Sequence, residues 1–169
     1  MGIFRKGTIE VTSPEPAPID LGQSKIVEPL WLKIARTEIG TAEVSGPKAN
    51  PKIVEYASFT TLHATSDEVP WCSSFTCWCL EKAGLKSTRS AAAGSYLQYG
   101  IELLRPRLGC IVVFKREGGH HVGFYLGETY GTSTRIDCLS GNSNNQVRIA
   151  SYPKKLVLGY RWPTELDRR

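Results

Sequence analysis

Two runs of residues in this 169-residue chain carry groups that could do nucleophilic chemistry together. In Asp67-Glu68-Val69-Pro70-Trp71-Cys72-Ser73-Ser74-Phe75, a turn hands over to a helical pattern with a thiol at the junction. In Gly118-Gly119-His120-His121-Val122-Gly123-Phe124-Tyr125, an imidazole opens a strand-like run. A cysteine attacks a carbonyl as its thiolate, and a free thiol is mostly protonated at neutral pH, so such a site must lower the thiol pKa. Helix amides lacking partners do this through the positive end of the helix dipole, and so does an imidazolium. Cys72 is therefore expected to be an activated nucleophile that alkylates faster than the other cysteines near neutral pH. Its own amide could serve an oxyanion hole.

The base is chosen by strand alternation. His120 shares a side with Val122, Phe124 and Leu126, which should face the core, whereas His121 shares the other side with Gly123 and Tyr125. Gly123 leaves room beside His121 for a substrate or for Cys72, so His121 is the expected base. An imidazole base needs an acceptor on its second nitrogen to fix tautomer and orientation. Asp137 and Asn142 are the candidates, Asn142 being equally suited to a left-handed turn position.

The remaining cysteines, Cys77, Cys79, Cys110 and Cys138, fall at helix and strand positions where a thiol behaves as a small apolar group. The nearest pair, Cys77 and Cys79, would point about 200° apart on a helix and could not grip one zinc ion. No metal and no cofactor are expected.

The elements that must position these groups follow from pattern. Leu30 and Ile34, flanked by Trp31 and Ala35, suggest a helix from Pro29 to about Gly40. Asn50 and Pro51 read as the N-cap and first position of a second helix ending before Ser58. The third, an amphipathic helix from Pro70 to Gly84, carries Cys72, Phe75, Cys79 and Ala83 at steps of three and four. Ser90 caps a short fourth helix reaching Gly100. A hairpin follows, 110–114 with 121–126, and then strands at 135–139, 146–152 and 156–161, with the polar turn 140–145 between the first two. Helices first and strands afterwards argue for an α+β domain with helices packed on an antiparallel sheet.

At this length one domain can bury a core without crosslinks. Five cysteines, an odd number, and an N-terminus without an apolar leader give the expectation of a reduced, cytoplasm-made protein without a signal peptide, acting on its target after release or delivery. No segment approaches the roughly 18 apolar residues of a membrane span. The net charge of +5 suits an anionic partner, but the basic residues are scattered without an aromatic-interleaved stripe, so no nucleic-acid role is expected.

The combination Pro70-Trp71-Cys72-Ser73-Ser74-Phe75, Gly109-Cys110-Ile111-Val112-Val113-Phe114, His121-Val122-Gly123-Phe124-Tyr125 and Ser140-Gly141-Asn142 resembles the papain-like cell-wall cysteine peptidases and amidases of the NlpC and CHAP type. It is most similar to a branch carried by prophages, also at Ala35-Arg36-Thr37-Glu38-Ile39-Gly40 and Asn50-Pro51, and the likeness spans about residues 28–162. The resemblance implies a papain-like α+β fold, Cys72 as nucleophile, His121 as base and Asn142 as third member. It also places Trp71 beside the nucleophile, as a groove wall that binds substrate. Asp67 and Glu38 fit the branch pattern without a catalytic role. The branch commonly has Gly-Gly-Asn-Gln where this chain has Ser140-Gly141-Asn142-Ser143.

The implied function is a peptidoglycan hydrolase working through a thioacyl-enzyme. The implied partners are peptidoglycan and an immunity, holin or delivery protein. The alternatives are a papain-like effector or acyl transferase acting on a protein, and a catalytically silent wall-binding or phage structural domain. The expected boundaries are 1–28 for an N-terminal arm and proline-rich linker, 29–163 for the hydrolase domain and 164–169 for a charged tail.

Overall fold

The computed structural model describes residues 27–168; the arm and linker expected before residue 27 lie outside them. Three helices come first: α1 (Leu30–Thr37), α2 (Pro51–Ala57) and α3 (Cys72–Lys82). Asn50 caps α2 by accepting a 2.9 Å hydrogen bond from the Lys52 amide, with Pro51 in the first turn where no amide is needed. The fourth expected helix is a 3-10 segment, Ala93–Gln98. Gly94, inside its first turn, disfavours a full α-helix there.

Six strands follow: β1 (Ile101–Glu102), β2 (Ile111–Arg116), β3 (Gly119–Glu128), β4 (Arg135–Ser140), β5 (Arg148–Pro153) and β6 (Val157–Trp162). They form one sheet in the order β1-β6-β2-β3-β4-β5, antiparallel throughout. Only the two-residue β1 escapes a reading of the sequence, because two residues carry no alternation to detect. The chain is an α+β protein, as expected. The charged tail expected at 164–169 is tied down among its described residues. A 3-10 turn at Glu165–Asp167 is closed by a capping box on Thr164, and Arg168 bridges to Leu85.

The sequence suggests that α3 is amphipathic, yet every residue from Cys72 to Glu81 is buried. The sheet covers one side of it and α1 and α2 the other. Its polar side chains are satisfied locally: Ser73 donates to the Ser90 carbonyl at 2.6 Å and Thr76 to the Cys72 carbonyl at 3.0 Å. The small Ser, Thr and Cys side chains let this central helix be packed from all sides.

The sheet has a core on each face. Val122, Phe124, Ile111, Val113 and Leu139 pack with α3, while Val112, Phe114, Tyr125, Ile136 and Cys138 form a second cluster behind. Tyr152 on β5 stacks on Phe114 of β2 at 4.6 Å, although two strands lie between them. The sheet therefore curls into a half-barrel whose concave side holds the second cluster. All five cysteines are free and buried.

Candidate active site

Cys72 is the first residue of α3, and Trp71 occupies the cap position in extended-to-bridge conformation. The first turn of α3 is pressed against the end of β4. A Cβ added to Gly141 would lie 2.6 Å from Phe75 Cβ and 2.7 Å from Trp71 Cζ3, so backbone touches helix there. Gly123 permits a similar close approach on the neighbouring strand β3, since its Cβ would lie 2.6 Å from both Cys138 Sγ and Ser140 Cβ. These two close approaches bring the start of α3, His121 of β3 and Ser140 of β4 to one end of the sheet.

His121 behaves as alternation predicts: its ring lies on the face away from α3, beside Phe114 and Tyr152. That face is not open, however, for the residue is only 4% exposed. Its Nε2 shares a 2.9 Å hydrogen bond with Ser140 Oγ and a 3.2 Å one with the Tyr152 hydroxyl, and that hydroxyl meets Ser143 Oγ at 2.9 Å. Burial and the nearby charge of Arg116 push the imidazole down to about 4.

Burial also pushes the Cys72 thiol up from its ordinary value, and the amides of Val122 and Ser73 and the charge of Arg116 offset only a fraction of this. The amide of Val122 follows His121 directly, so the Cys72 thiol meets the peptide unit next to His121 on β3. No hydrogen bond joins the two side chains among the described residues. The expected thiolate is thus not the resting state. Helix dipole and amides lose to desolvation because Cys72 is 4% exposed rather than presented to water.

Two cavities flank this end of the sheet. One, of about 650 Å³, is lined by Cys72, Pro70, the 91–95 segment, Arg116 and His120. The other, of about 570 Å³, is lined by His121, Asn142, Ser143, Tyr152, Arg116 and Phe114. Cys72 and His121 thus look into neighbouring spaces that share the β2–β3 turn as a wall. His120, set aside in the sequence, lies exposed in the cavity of Cys72 with its ring against Gly94.

Asn142 shares the cavity of His121 but makes no hydrogen bond to it among the described residues; Ser140 and Tyr152 occupy that role. Asn142 is a left-handed turn residue at φ 51°, followed by Asn144 at 54° and Asn145 at 60°, a conformation asparagine tolerates. Asp137 is engaged elsewhere, accepting from Thr129 Oγ1 at 2.7 Å. Trp71, expected as a groove wall, is 1% exposed, packs near Tyr56 and donates Nε1 to Glu43 at 2.9 Å. It turns inward because the helix it caps is buried.

Ser140 has a signal in the sequence, as the departure from the branch's glycine, opposite the gap that Gly123 leaves. Tyr152 has none, since it reaches His121 only through the curl of the sheet. Asp67, the loop carboxylate, accepts the amides of Val44 and Asn50 at 3.0 and 2.8 Å, and bonds to the amides of Asn50 and Val44 hold it below the usual carboxylate range. Glu38 accepts the Tyr56 hydroxyl. Neither faces the cavities. Among the described residues no group of three His, Cys, Asp or Glu could hold a metal ion, and no helix is long and apolar enough to cross a membrane.

No curated protein matches the chain. Among solved structures, the P60 domain of the M. avium paratuberculosis antigen MAP1272c is similar at 16% identity and a TM-score of 0.48, over 80% of this chain and 90% of that one. RipD from Mycobacterium tuberculosis, described as a non-catalytic NlpC/p60 domain protein adapted to peptidoglycan binding, is similar at 18% identity and a TM-score of 0.47, over 78% and 92%. The model of the NlpC/P60 family matches residues 62–157, more than half of the sequence and the stretch holding Cys72, His121 and Ser140, and the chain belongs to that family.

Proposed function

We propose that this protein is a cysteine hydrolase that cleaves an amide bond of peptidoglycan, within the stem peptide or between sugar and peptide. The observation that carries the reading is the fixed imidazole: Nε2 of His121 is held by Ser140 and Tyr152, on the residue whose following amide meets the Cys72 thiol. Sγ of Cys72 attacks the carbonyl, its proton passes to His121, and the amide of Cys72 at the head of α3 receives the oxyanion. The amine leaves with that proton, and water drawn through His121 releases the acyl group from sulfur. Because both groups rest in their neutral forms, the proton moves only when a bound acyl group is attacked. The net charge of +5 suits an anionic wall. An immunity, holin or delivery protein would then govern its access to that wall.

A second reading, a wall-binding domain without activity, draws on the missing contact between Cys72 and His121 and on the raised thiol. Digestion of purified peptidoglycan with mass spectrometry of the released fragments separates the two. New amine-terminated fragments from the parent and none from Cys72→Ala support hydrolysis. Equal release by both proteins, or by neither, sinks it.

A further inference from the structure

The segment 40–44, between α1 and α2, lies antiparallel on residues 145–147 as a strap. The Gly40 amide donates to the Val147 carbonyl at 2.9 Å, the Val147 amide to the Thr41 carbonyl at 2.8 Å and the Glu43 amide to the Asn145 carbonyl at 2.9 Å, with Ala42 bridging to Gln146. These bonds close the turn after β4, whose Ser143 is bonded to the Tyr152 hydroxyl that meets His121. Asp67 pins the other end of the strap by accepting the Val44 amide at 3.0 Å. The side chain of Glu43 leaves the strap toward α3 and accepts the Trp71 Nε1–H at 2.9 Å. One residue therefore holds the turn beside the base through its backbone and the cap before the nucleophile through its side chain.

Trp71 transmits this hold. Its indole is anchored at Nε1, another edge of the ring, Cζ3, lies against Gly141, and its backbone leads directly into Cys72. A rotation of the ring would push Gly141, and with it Ser140 and His121, relative to the head of α3. Glu43 borders neither cavity and so can act on the reaction only through Trp71. We propose that Glu43 is a positioning residue: by fixing the indole of Trp71 it sets the spacing of Cys72 and His121. The proposal rests on the hydrolase reading for the reaction it serves, but the placement of the thiol can be measured without hydrolysis. Misplacing reacting groups by about 1 Å can cost about a hundredfold in rate, so a bond that fixes a spacer acts on catalysis as well as on folding. The same helix supplies a matched control. Trp78, 5% exposed, donates Nε1 to Glu55 Oε1 at 2.8 Å, and neither of these residues borders a cavity.

The test sets Glu43→Ala against Glu55→Ala in the full chain. Amine release from purified peptidoglycan gives kcat and KM well below the unfolding temperature of each variant, and alkylation of Cys72 by iodoacetamide at one alkaline pH is read by peptide mass mapping. Both variants lose an indole–carboxyl bond and should unfold earlier than the parent. Only Glu43→Ala should lose about tenfold or more in kcat at a KM within about twofold of the parent's. Its Cys72 should also alkylate about threefold faster or more, as the head of α3 loosens and the thiol gains access to solvent. Glu43→Gln, which keeps an acceptor for the indole, should restore most of both properties. Should Glu43→Ala fail to fold, Glu43→Met, similar in length and without the acceptor, carries the same expectations. Parental kcat and alkylation in Glu43→Ala, equal changes in Glu55→Ala, or a Glu43→Gln no better than Glu43→Ala would overturn the proposal. A parent that digests no wall removes the hydrolase reading alone, and the alkylation comparison then decides for or against Glu43.

Discussion

The hydroxyl groups on His121 offer a test whose size follows from two distances. Ser140 Oγ lies 2.9 Å from Nε2 and the Tyr152 hydroxyl 3.2 Å away, so serine holds the ring more closely. A buried hydrogen bond contributes a net ~0.5–1.5 kcal/mol, and 1.36 kcal/mol is tenfold in rate. Ser140→Ala should therefore slow turnover about tenfold and Tyr152→Phe about threefold, since the phenylalanine keeps the stack on Phe114. With both hydroxyls gone, a buried ring nitrogen is left without a partner at ~1–3 kcal/mol, so the double variant should lose about a hundredfold, more than the product of the singles. The assay is the release of new amines from purified peptidoglycan, with kcat and KM resolved. Anchoring predicts a loss in kcat at nearly parental KM. The reasoning fails if the double variant keeps parental kcat, or if Asn142→Ala alone costs more than both hydroxyls together.

Other expectations can be measured on the same protein. His121 titrates at about 4 in the folded state against an ordinary 6.5, so the unfolded chain binds more protons between those values. Folding stability from this group, about 3 kcal/mol, is present above pH 6.5 and is lost as pH falls toward 4. Urea unfolding should show that slope in the parent and a flatter one in His121→Gln. Because burial raises the Cys72 thiol above its ordinary value, its alkylation should rise only at alkaline pH, later than that of a free thiol and without a shoulder at about pH 6 to 7, and a shoulder would reveal a preformed thiolate–imidazolium pair. Cys72 should still react before Cys77, Cys79, Cys110 and Cys138, which are fully buried and border neither cavity. Trp71→Ala should cost ~3–5 kcal/mol in thermal or urea unfolding, as for an emptied aromatic core site, rather than act on KM alone.

The helices and strands are readable because their apolar residues recur at periods of 3.6 and 2, and because Asn50-Pro51 is a cap signature independent of tertiary context. Alternation also assigns His121 and Tyr125 correctly to the face away from α3. What alternation cannot reveal is that this face closes on itself: the curl of the sheet carries Tyr152 across to Phe114 and buries the imidazole. The same blindness hides the burial of Trp71 and gives Cys72 a lowered pKa. A dipole and a cap can be read from neighbours in sequence, whereas the packing that desolvates them comes from α1, α2 and β3. Asn142 reads both as a turn residue and as an orienting amide; its backbone takes the first role, and its neighbour Ser140 takes the bond.

Gly141 has a bearing on how such a site can diverge. The gap between the first turn of α3 and the end of β4 is filled by the Gly141 backbone on one side and by the Phe75 and Trp71 side chains on the other, with no room for a side chain on Gly141. The spacing of thiol and imidazole therefore cannot drift by gradual substitution; the smallest step available, a methyl group, already drives a wedge between the two halves. Variation has to collect at the rims, in the 115–120 turn and the 142–146 turn, where residues border the cavities without holding the halves together. Lineages descended from such a chain would be expected to change the rims of the two cavities long before they change the spacing of Cys72 and His121.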